Sequence, residues 1–134
     1  GADPWGPAGS VVVAALALLL VCVCVTPSTQ AGSVLSNVNQ VTFSAPVALP
    51  GVILLPGKYV FEAGAVGMNP NIVRVTSPDY QKLYFIGLTQ YVTRPANMPS
   101  NQAVALGEAR IGEPSPVKAW YPIGSPMGHE FLYR

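Results

Sequence analysis

Proline and glycine interrupt the segment from residue 32 to residue 134 at short, regular intervals. The whole chain of 134 residues contains 14 prolines and 13 glycines. Proline cannot donate the backbone hydrogen bond of a helix interior, and both residues favour turns. Apolar and polar residues alternate in the stretches between them, as they do in half-buried strands. The pattern predicts one small all-β domain, an antiparallel β-sandwich or barrel of about seven or eight strands.

Strand alternation is clearest in three segments. QVTFSAPVAL places Val41 and Phe43 on one face, and KYVFEAG places Tyr59 and Phe61 on one side of the next strand. Residues 72–93 consist of two apolar segments separated by the turn sequence PDYQ, which predicts an antiparallel hairpin. No long stretch of helical periodicity follows Val25, so residues 32–134 are expected to consist of strands and their connecting turns.

Two further stretches make more local predictions. Leu-Pro-Gly occurs at residues 49–51 and again at 55–57. Proline fixes φ and glycine accepts a positive φ, so each copy predicts a type II turn. Residues 103–111, AVALGEARI, are ambiguous because their alanine, leucine and glutamate favour a helix while Gly107 interrupts it. We expect a strand with a bulge there, and a short helix is the alternative.

A dense apolar run of 15 residues, Val11 to Val25, lies near the start. As a helix it spans about 22 Å, whereas a membrane span needs about 20 residues. Small residues follow it and favour cleavage near Ala31, so residues 1–31 are expected to be a signal helix and residues 32–134 the domain. We expect the start of this signal to be truncated, because it contains Asp3 but no Lys or Arg. The alternative is a retained membrane anchor through residues 11–25.

The charge and the cysteine content of the chain limit the cellular compartments and the classes of partner that fit it. Both cysteines lie in the apolar run, so a chain cleaved near Ala31 has neither disulfide nor thiol chemistry. That chain keeps seven Lys or Arg and five Asp or Glu, which is too weak and scattered for nucleic-acid binding. A low net charge causes little repulsion between copies of the chain, so it permits association of the chain with itself or with a surface. We therefore expect a secreted, periplasmic or cell-surface protein whose partner is itself, another surface protein or a polysaccharide.

The adjacent residues His129 and Glu130 resemble a catalytic or metal-binding pair, and His129 is the only histidine. A zincin motif requires a second histidine three residues after the glutamate, and that position is Tyr133. In a strand, neighbouring side chains also point to opposite faces. We therefore expect no metal, no cofactor and no catalytic residue, and interpret His129 as half-buried against aromatic rings.

Other enzyme motifs fit no better. GVILLPGKY contains Gly-Lys, but five residues separate Gly51 from Gly57, and Tyr59 replaces the Ser or Thr of a phosphate-binding loop. GSPMG places Ser125 directly before a proline and is not the Gly-x-Ser-x-Gly nucleophile elbow. The sequence therefore predicts that the protein is not an enzyme. A small hydrolase that uses His129 is the third and weakest functional hypothesis.

Aromatic residues provide the second hypothesis. Exposed rings of Tyr91, Trp120 and Tyr121 would form a platform for sugar rings, which makes a carbohydrate-binding module the alternative function. The competing interpretation is that these rings belong to the core, as aromatic residues of strands commonly do. Burial of Trp120 and Tyr121 would exclude the platform.

The C-terminal segment GHEFLYR predicts a strand that closes the β core. Alternation places Phe131 and Tyr133 on the face of His129, and Glu130 and Arg134 on the other. We expect these residues to have structural roles, with Glu130 fixing a neighbouring strand or loop.

The chain also resembles a family of small exported bacterial proteins that is frequent in acidobacterial genomes. These proteins share a signal peptide, a Pro-Val-x-Leu-Pro-Gly stretch, a Pro/Ala-Gly-x-Tyr-x-Phe strand and a C-terminal Lys-Ala-Trp and Gly-x-Glu-Phe-x-Tyr motif. The resemblance implies export and an all-β domain, and it carries over no catalytic residue. The residues that carry it here are Pro46 to Gly51, Gly57, Tyr59, Phe61, Lys118 to Trp120, Gly128, Glu130, Phe131 and Tyr133.

Together these features predict an exported, non-enzymatic β-domain that acts by assembly or binding at the periplasm or cell surface. Exposed strand edges in such a fold can pair with another chain, and low net charge does not oppose the pairing. Self-assembly into an oligomer or filament is one form of this hypothesis.

Overall fold

The structure is a computed structural model, and it describes residues 23–27, 37–65 and 67–133. These residues form ten strands and no helix, which confirms the prediction of an all-β fold. The strands are β1 (Val23–Pro27), β2 (Val38–Phe43), β3 (Val47–Leu49), β4 (Val52–Leu54), β5 (Gly57–Ala63), β6 (Ile72–Thr76), β7 (Leu83–Thr93), β8 (Val104–Leu106), β9 (Ser115–Trp120) and β10 (Met127–Phe131).

All ten strands belong to one open sheet. Its order is β1-β2-β5-β6-β7-β10-β9-β3-β4, and β8 pairs with the part of β9 that β3 leaves free. Every pairing is antiparallel except that between β3 and β9, which is parallel. The expectation of a wholly antiparallel domain of about seven or eight strands in residues 32–134 is therefore corrected to nine strands, β2 to β10, with one parallel pair.

The sheet curls so that strands far apart in its order face each other. Phe61 of β5 lies with its ring centre 5.8 Å from that of Trp120 on β9, although three strands separate β5 from β9. Phe61 also lies 6.4 Å from Phe131 of β10 and 6.2 Å from Phe43 of β2. Each such ring pair contributes about 0.5–1.5 kcal/mol beyond its buried area, so Phe61 is the centre of the core.

Most of the predicted strand patterns are present. Val41, Phe43, Tyr59 and Phe61 are all buried, and the hairpin predicted over residues 72–93 is formed by β6 and β7. Gly51 has φ 77°, as the predicted type II turn between β3 and β4 requires. The second predicted type II turn is absent, because its glycine, Gly57, has φ 156° and begins β5.

Residues 103–111 contain a strand and not a helix. Val104–Leu106 pair with β9, and the register shifts between Ala105 and Leu106. The predicted strand with a bulge is therefore confirmed for residues 104–106, and residues 107–111 lie outside it.

At the other end of the chain, Val23–Pro27 form β1, which pairs antiparallel with β2 from Val23↔Phe43 to Pro27↔Asn39. The rest of the predicted signal helix and the predicted cleavage position near Ala31 lie outside the described residues. Within the described part of the chain, no helix has the length and apolar character of a membrane span.

Candidate functional site

Three rings form a row across neighbouring strands. His129 of β10 is the register partner of Tyr91 on β7 and of Trp120 on β9. Its imidazole lies 5.1 Å from the Tyr91 ring and 5.5 Å from the Trp120 ring, with which it stacks at an angle of 21°. Directly opposed residues share a face of the sheet, so strand pairing itself brings these rings together.

A hydrogen-bond chain fixes the tautomer of His129. Its Nδ1 lies 3.1 Å from Oγ1 of Thr89, and that hydroxyl donates its proton to the carbonyl oxygen of Asn71 at 2.7 Å. A hydroxyl has a single proton, so Thr89 must accept from Nδ1–H. Nε2 then carries the lone pair of a neutral imidazole. Burial lowers the pKa of His129 and favours this neutral form.

His129 also forms part of a surface pocket. The cavity has a volume of about 250 Å³ and is lined by Asn37, Tyr91, Pro122, Ser125, Met127 and His129. His129 is 3 % exposed, whereas Tyr91 is 50 % exposed. The imidazole is therefore a buried part of the lining, and the exposed tyrosine ring lies beside it.

Residues 121–126, the loop between β9 and β10, contribute Pro122 and Ser125 to the pocket lining. Arg94 fixes the position of this loop. Its guanidinium donates to the carbonyl oxygens of Ser125 at 2.8 Å and Pro122 at 3.2 Å. The same group donates to Pro99 and Gln102, both at 2.6 Å, and so ties two loops together. Arg94 lies after the end of β7 and before a proline, and nothing in the sequence pattern signals this role.

Asn39 holds the same loop from the core side. Its Oδ1 accepts from Nε1 of Trp120 and from the backbone N–H of Ile123, both at 3.1 Å. The side chain is buried, so both hydrogen bonds are formed away from water. Sequence reasoning missed Asn39, although a signal existed: alternation places it on the buried face of β2 with Val41 and Phe43.

Two of the three residues predicted for binding are buried. Trp120 is 0 % exposed and Tyr121 is 6 % exposed, so neither ring is available to a sugar. Trp120 belongs to the core beside Phe61, and Tyr121 lies under Arg94, whose guanidinium carbon is 5.2 Å from the ring centre. The predicted aromatic platform is therefore wrong. Tyr91 alone of the three is exposed, and it borders the pocket.

The residues predicted to be structural lie as follows. Phe131 is buried and contacts the rings of Phe61 and Phe85. The Tyr133 hydroxyl lies 2.6 Å from the carbonyl oxygen of Val117 and 3.0 Å from that of Ala48. Glu130 is half-buried, and Arg134 lies outside the described residues, so the predicted Glu130–Arg134 row stays a prediction.

The geometry around His129 does not favour hydrolysis. A general base must accept the proton of its nucleophile. Here the Thr89 proton goes to the Asn71 carbonyl, and the imidazole donates to Thr89. Within residues 23–27, 37–65 and 67–133, no group of three His, Cys, Asp or Glu side chains is arranged to hold a metal ion.

A second surface feature is an apolar stripe on the outer face of the sheet. Ile86 and Leu88 of β7 are 44 % and 56 % exposed, and Ile72 of β6 is the register partner of Leu88. Leu132, which directly follows β10, is also exposed. We call Ile72, Ile86, Leu88 and Leu132 the outer stripe. Exposed apolar patches of this kind commonly mark interaction surfaces.

Comparison of the chain with models of protein families, with curated proteins and with solved structures finds no match. The resemblance to exported bacterial proteins therefore stays a prediction. The pocket and the outer stripe are the two surface features of the described residues that could bind a partner or ligand.

Proposed function

We propose that this chain is an exported, non-enzymatic β-domain that assembles with copies of itself at the periplasm or cell surface. The observation that carries the proposal is the outer stripe, in which Leu88 is 56 % exposed in the middle of a sheet face. Export is supported by the apolar run at Val11 to Val25 and the small residues that follow it.

The physical basis of assembly is removal of apolar side chains from water. Burying one leucine or isoleucine side chain contributes about 1.5–3 kcal/mol. In a two-fold symmetric contact each residue of the outer stripe is used twice, so four side chains from each copy form a sizeable apolar centre. The formal net charge of +1 gives little repulsion between copies.

Light scattering coupled to size-exclusion chromatography of the whole chain tests this proposal across a range of concentrations. We expect the mass to rise with concentration, and Leu88→Gln to shift the midpoint to at least about tenfold higher concentration, because it places a polar group in the contact. The matched control is Ile111→Gln. Ile111 is 73 % exposed but lies in a turn between β8 and β9, two strands that contribute no residue to the outer stripe, so its substitution should leave association unchanged. A wild-type chain that stays monomeric at every concentration, or equal effects of the two variants, would contradict the proposal.

A further inference from the structure

We propose that the pocket beside His129 binds a small, neutral, planar ring molecule that carries one N–H or O–H donor, of the phenol or indole class. This site is separate from the outer stripe, because Tyr91 and His129 lie on the opposite face of the sheet from Leu88. Ligand binding in this pocket is therefore independent of self-assembly through the outer stripe.

His129 supplies the hydrogen-bond acceptor of the pocket. Nδ1 of His129 donates to Thr89, whose own proton is used by Asn71, so Nε2 is the nitrogen that accepts. The imidazole is buried, its tautomer is set by the protein, and it contributes to the lining of the pocket. A ligand with one N–H or O–H group satisfies an acceptor of this kind directly.

The volume and the walls of the pocket determine the size and shape of the ligand that it can hold. The pocket volume of about 250 Å³ is below the range of about 300–1,000 Å³ typical of sites for drug-sized ligands. It exceeds the cavity of about 150 Å³ that is known to bind benzene in another protein. The Tyr91 ring, Pro122 and Met127 supply apolar walls, and the Tyr91 phenol offers an aromatic surface for stacking. Size and walls together favour a single flat ring system over a polyhydroxylated sugar.

The charge of the lining and the rigidity of one wall determine the class of ligand further. None of the six lining residues carries a charged side chain at neutral pH, so a charged ligand would lose its hydration without a partner. The loop that forms one wall is fixed through Pro122 and Ser125 by Arg94 and through Ile123 by Asn39. A wall held in this way exists before the ligand arrives, which lowers the entropic cost of binding.

The experiment is an NMR titration of the whole chain with indole and with 1-methylindole. His129 is the only histidine, so its imidazole C–H resonances report on this pocket without assignment ambiguity. We expect indole to shift them saturably and 1-methylindole, whose donor is blocked, to bind about 5- to 10-fold more weakly, the value of one hydrogen bond.

Acid pH provides an internal control on the same resonances. An imidazolium cannot accept a hydrogen bond, so indole affinity should fall with the midpoint of the His129 titration itself. The other lining side chains are a phenol, two apolar groups, an amide and a hydroxyl, so His129 is the one imidazole of the lining that the titration follows between about pH 4 and 7. Affinity for 1-methylindole should change much less over that range.

Two variants separate the site from the fold. Tyr91→Ala removes an exposed wall and should weaken indole binding at least about fivefold, whereas Tyr80→Ala, at another exposed tyrosine, should not. In His129→Phe the imidazole reporter is gone, so binding is followed through the ring resonances of Tyr91, which also lines the pocket, and the preference for indole over 1-methylindole should be abolished. Equal affinity for both indoles, tighter binding of methyl glucoside, or no saturable shift with either indole or phenol would overturn the inference.

Discussion

At the scale of single residues, His129 makes folding sensitive to acid. Burial lowers its pKa, so the folded chain binds this proton less readily than the unfolded chain, whose histidine has a pKa near 6.5. The free energy of unfolding contributed by the neutral ring is therefore complete above pH 6.5 and is lost as pH falls through the folded-state pKa. Urea unfolding from pH 8 to pH 5 should show this loss in the wild type but not in His129→Gln. Parallel pH curves for the two proteins would contradict this assignment, because no second histidine is present.

Gly128 provides a steric prediction at the same scale. A Cβ at this position would lie 2.2 Å from Cδ2 of Tyr121, a ring that is itself covered by Arg94. We expect Gly128→Ala to lower the free energy of unfolding by about 1–3 kcal/mol, measured by urea titration, because the ring cannot move freely. In a Tyr121→Ala background the same substitution should cost much less. An additive double-mutant cycle would show that the ring is not the obstacle.

At the scale of elements, Arg94 joins the loop after β7 to the loop between β9 and β10. Hydrogen bonds to a charged group contribute about 1.5–3 kcal/mol each when buried and less at a partly exposed site. Arg94→Ala should therefore lower the free energy of unfolding by about 2 kcal/mol, and Lys should recover little, because it lacks the planar fork of donors. Hydrogen exchange should increase at residues 95–102 and 121–126. The control is Arg110→Ala on an exposed loop, which should fall within about 0.5 kcal/mol of the wild type.

Tyr133 links the two strands of the parallel pair, since its hydroxyl approaches carbonyls of β3 and β9. Burial raises the pKa of Tyr133 to about 12, so its contribution to stability is complete below pH 10 and is lost between about pH 10 and 12. Tyr133→Phe should cost about 1 kcal/mol at pH 7 and reduce the loss of stability in alkali. Tyr80→Phe, in the exposed turn before β7, should have neither effect in guanidinium unfolding at pH 7 and pH 11. Identical alkaline profiles for Tyr133→Phe and the wild type would refute the assignment.

Individual strands could be predicted from the sequence wherever one face of the strand is buried and the other is exposed to solvent. Val41 and Phe43, and likewise Tyr59 and Phe61, follow this rule, because period-two alternation registers burial directly. The parallel pairing of β3 with β9 leaves no such trace, since it joins residues 47–48 to residues 115–116. Its discovery requires knowledge of which strands are neighbours in space.

The candidate site shows the same limit at the scale of the whole molecule. Strand alternation placed His129 among aromatic rings, but exposure of each ring depends on how the sheet curls. Trp120 faces Phe61 across that curl and is buried, while Tyr91, in the same row, lies at the rim. The pocket brings residue 37 together with residues 91 and 122–129, a combination that no local pattern encodes.

The edge at β1 connects the fold of the whole molecule with the predicted cleavage near Ala31. β1 covers the free edge of β2 and consists of Val23–Pro27, which precede the predicted cleavage position. Cleavage near Ala31 would therefore remove one strand and leave the outer edge of β2 unpaired, while β5 still holds its inner edge. An unpaired edge offers backbone donors and acceptors to a strand from another copy. Maturation would then add a second route to assembly, distinct from the outer stripe.

Comparison of the whole chain with a chain that begins at Gly32 tests this consequence. In the whole chain, backbone amides along both edges of β2 should be protected from hydrogen exchange by β1 and β5. In the shortened chain, alternate amides that face the missing strand should exchange rapidly when dilute and regain protection at high concentration, where copies pair. Leu88→Gln should leave this recovery intact, since it alters a side chain of the outer face and not the edge. If the β2 amides stay uniformly protected in the dilute shortened chain, β1 is not what closes this edge.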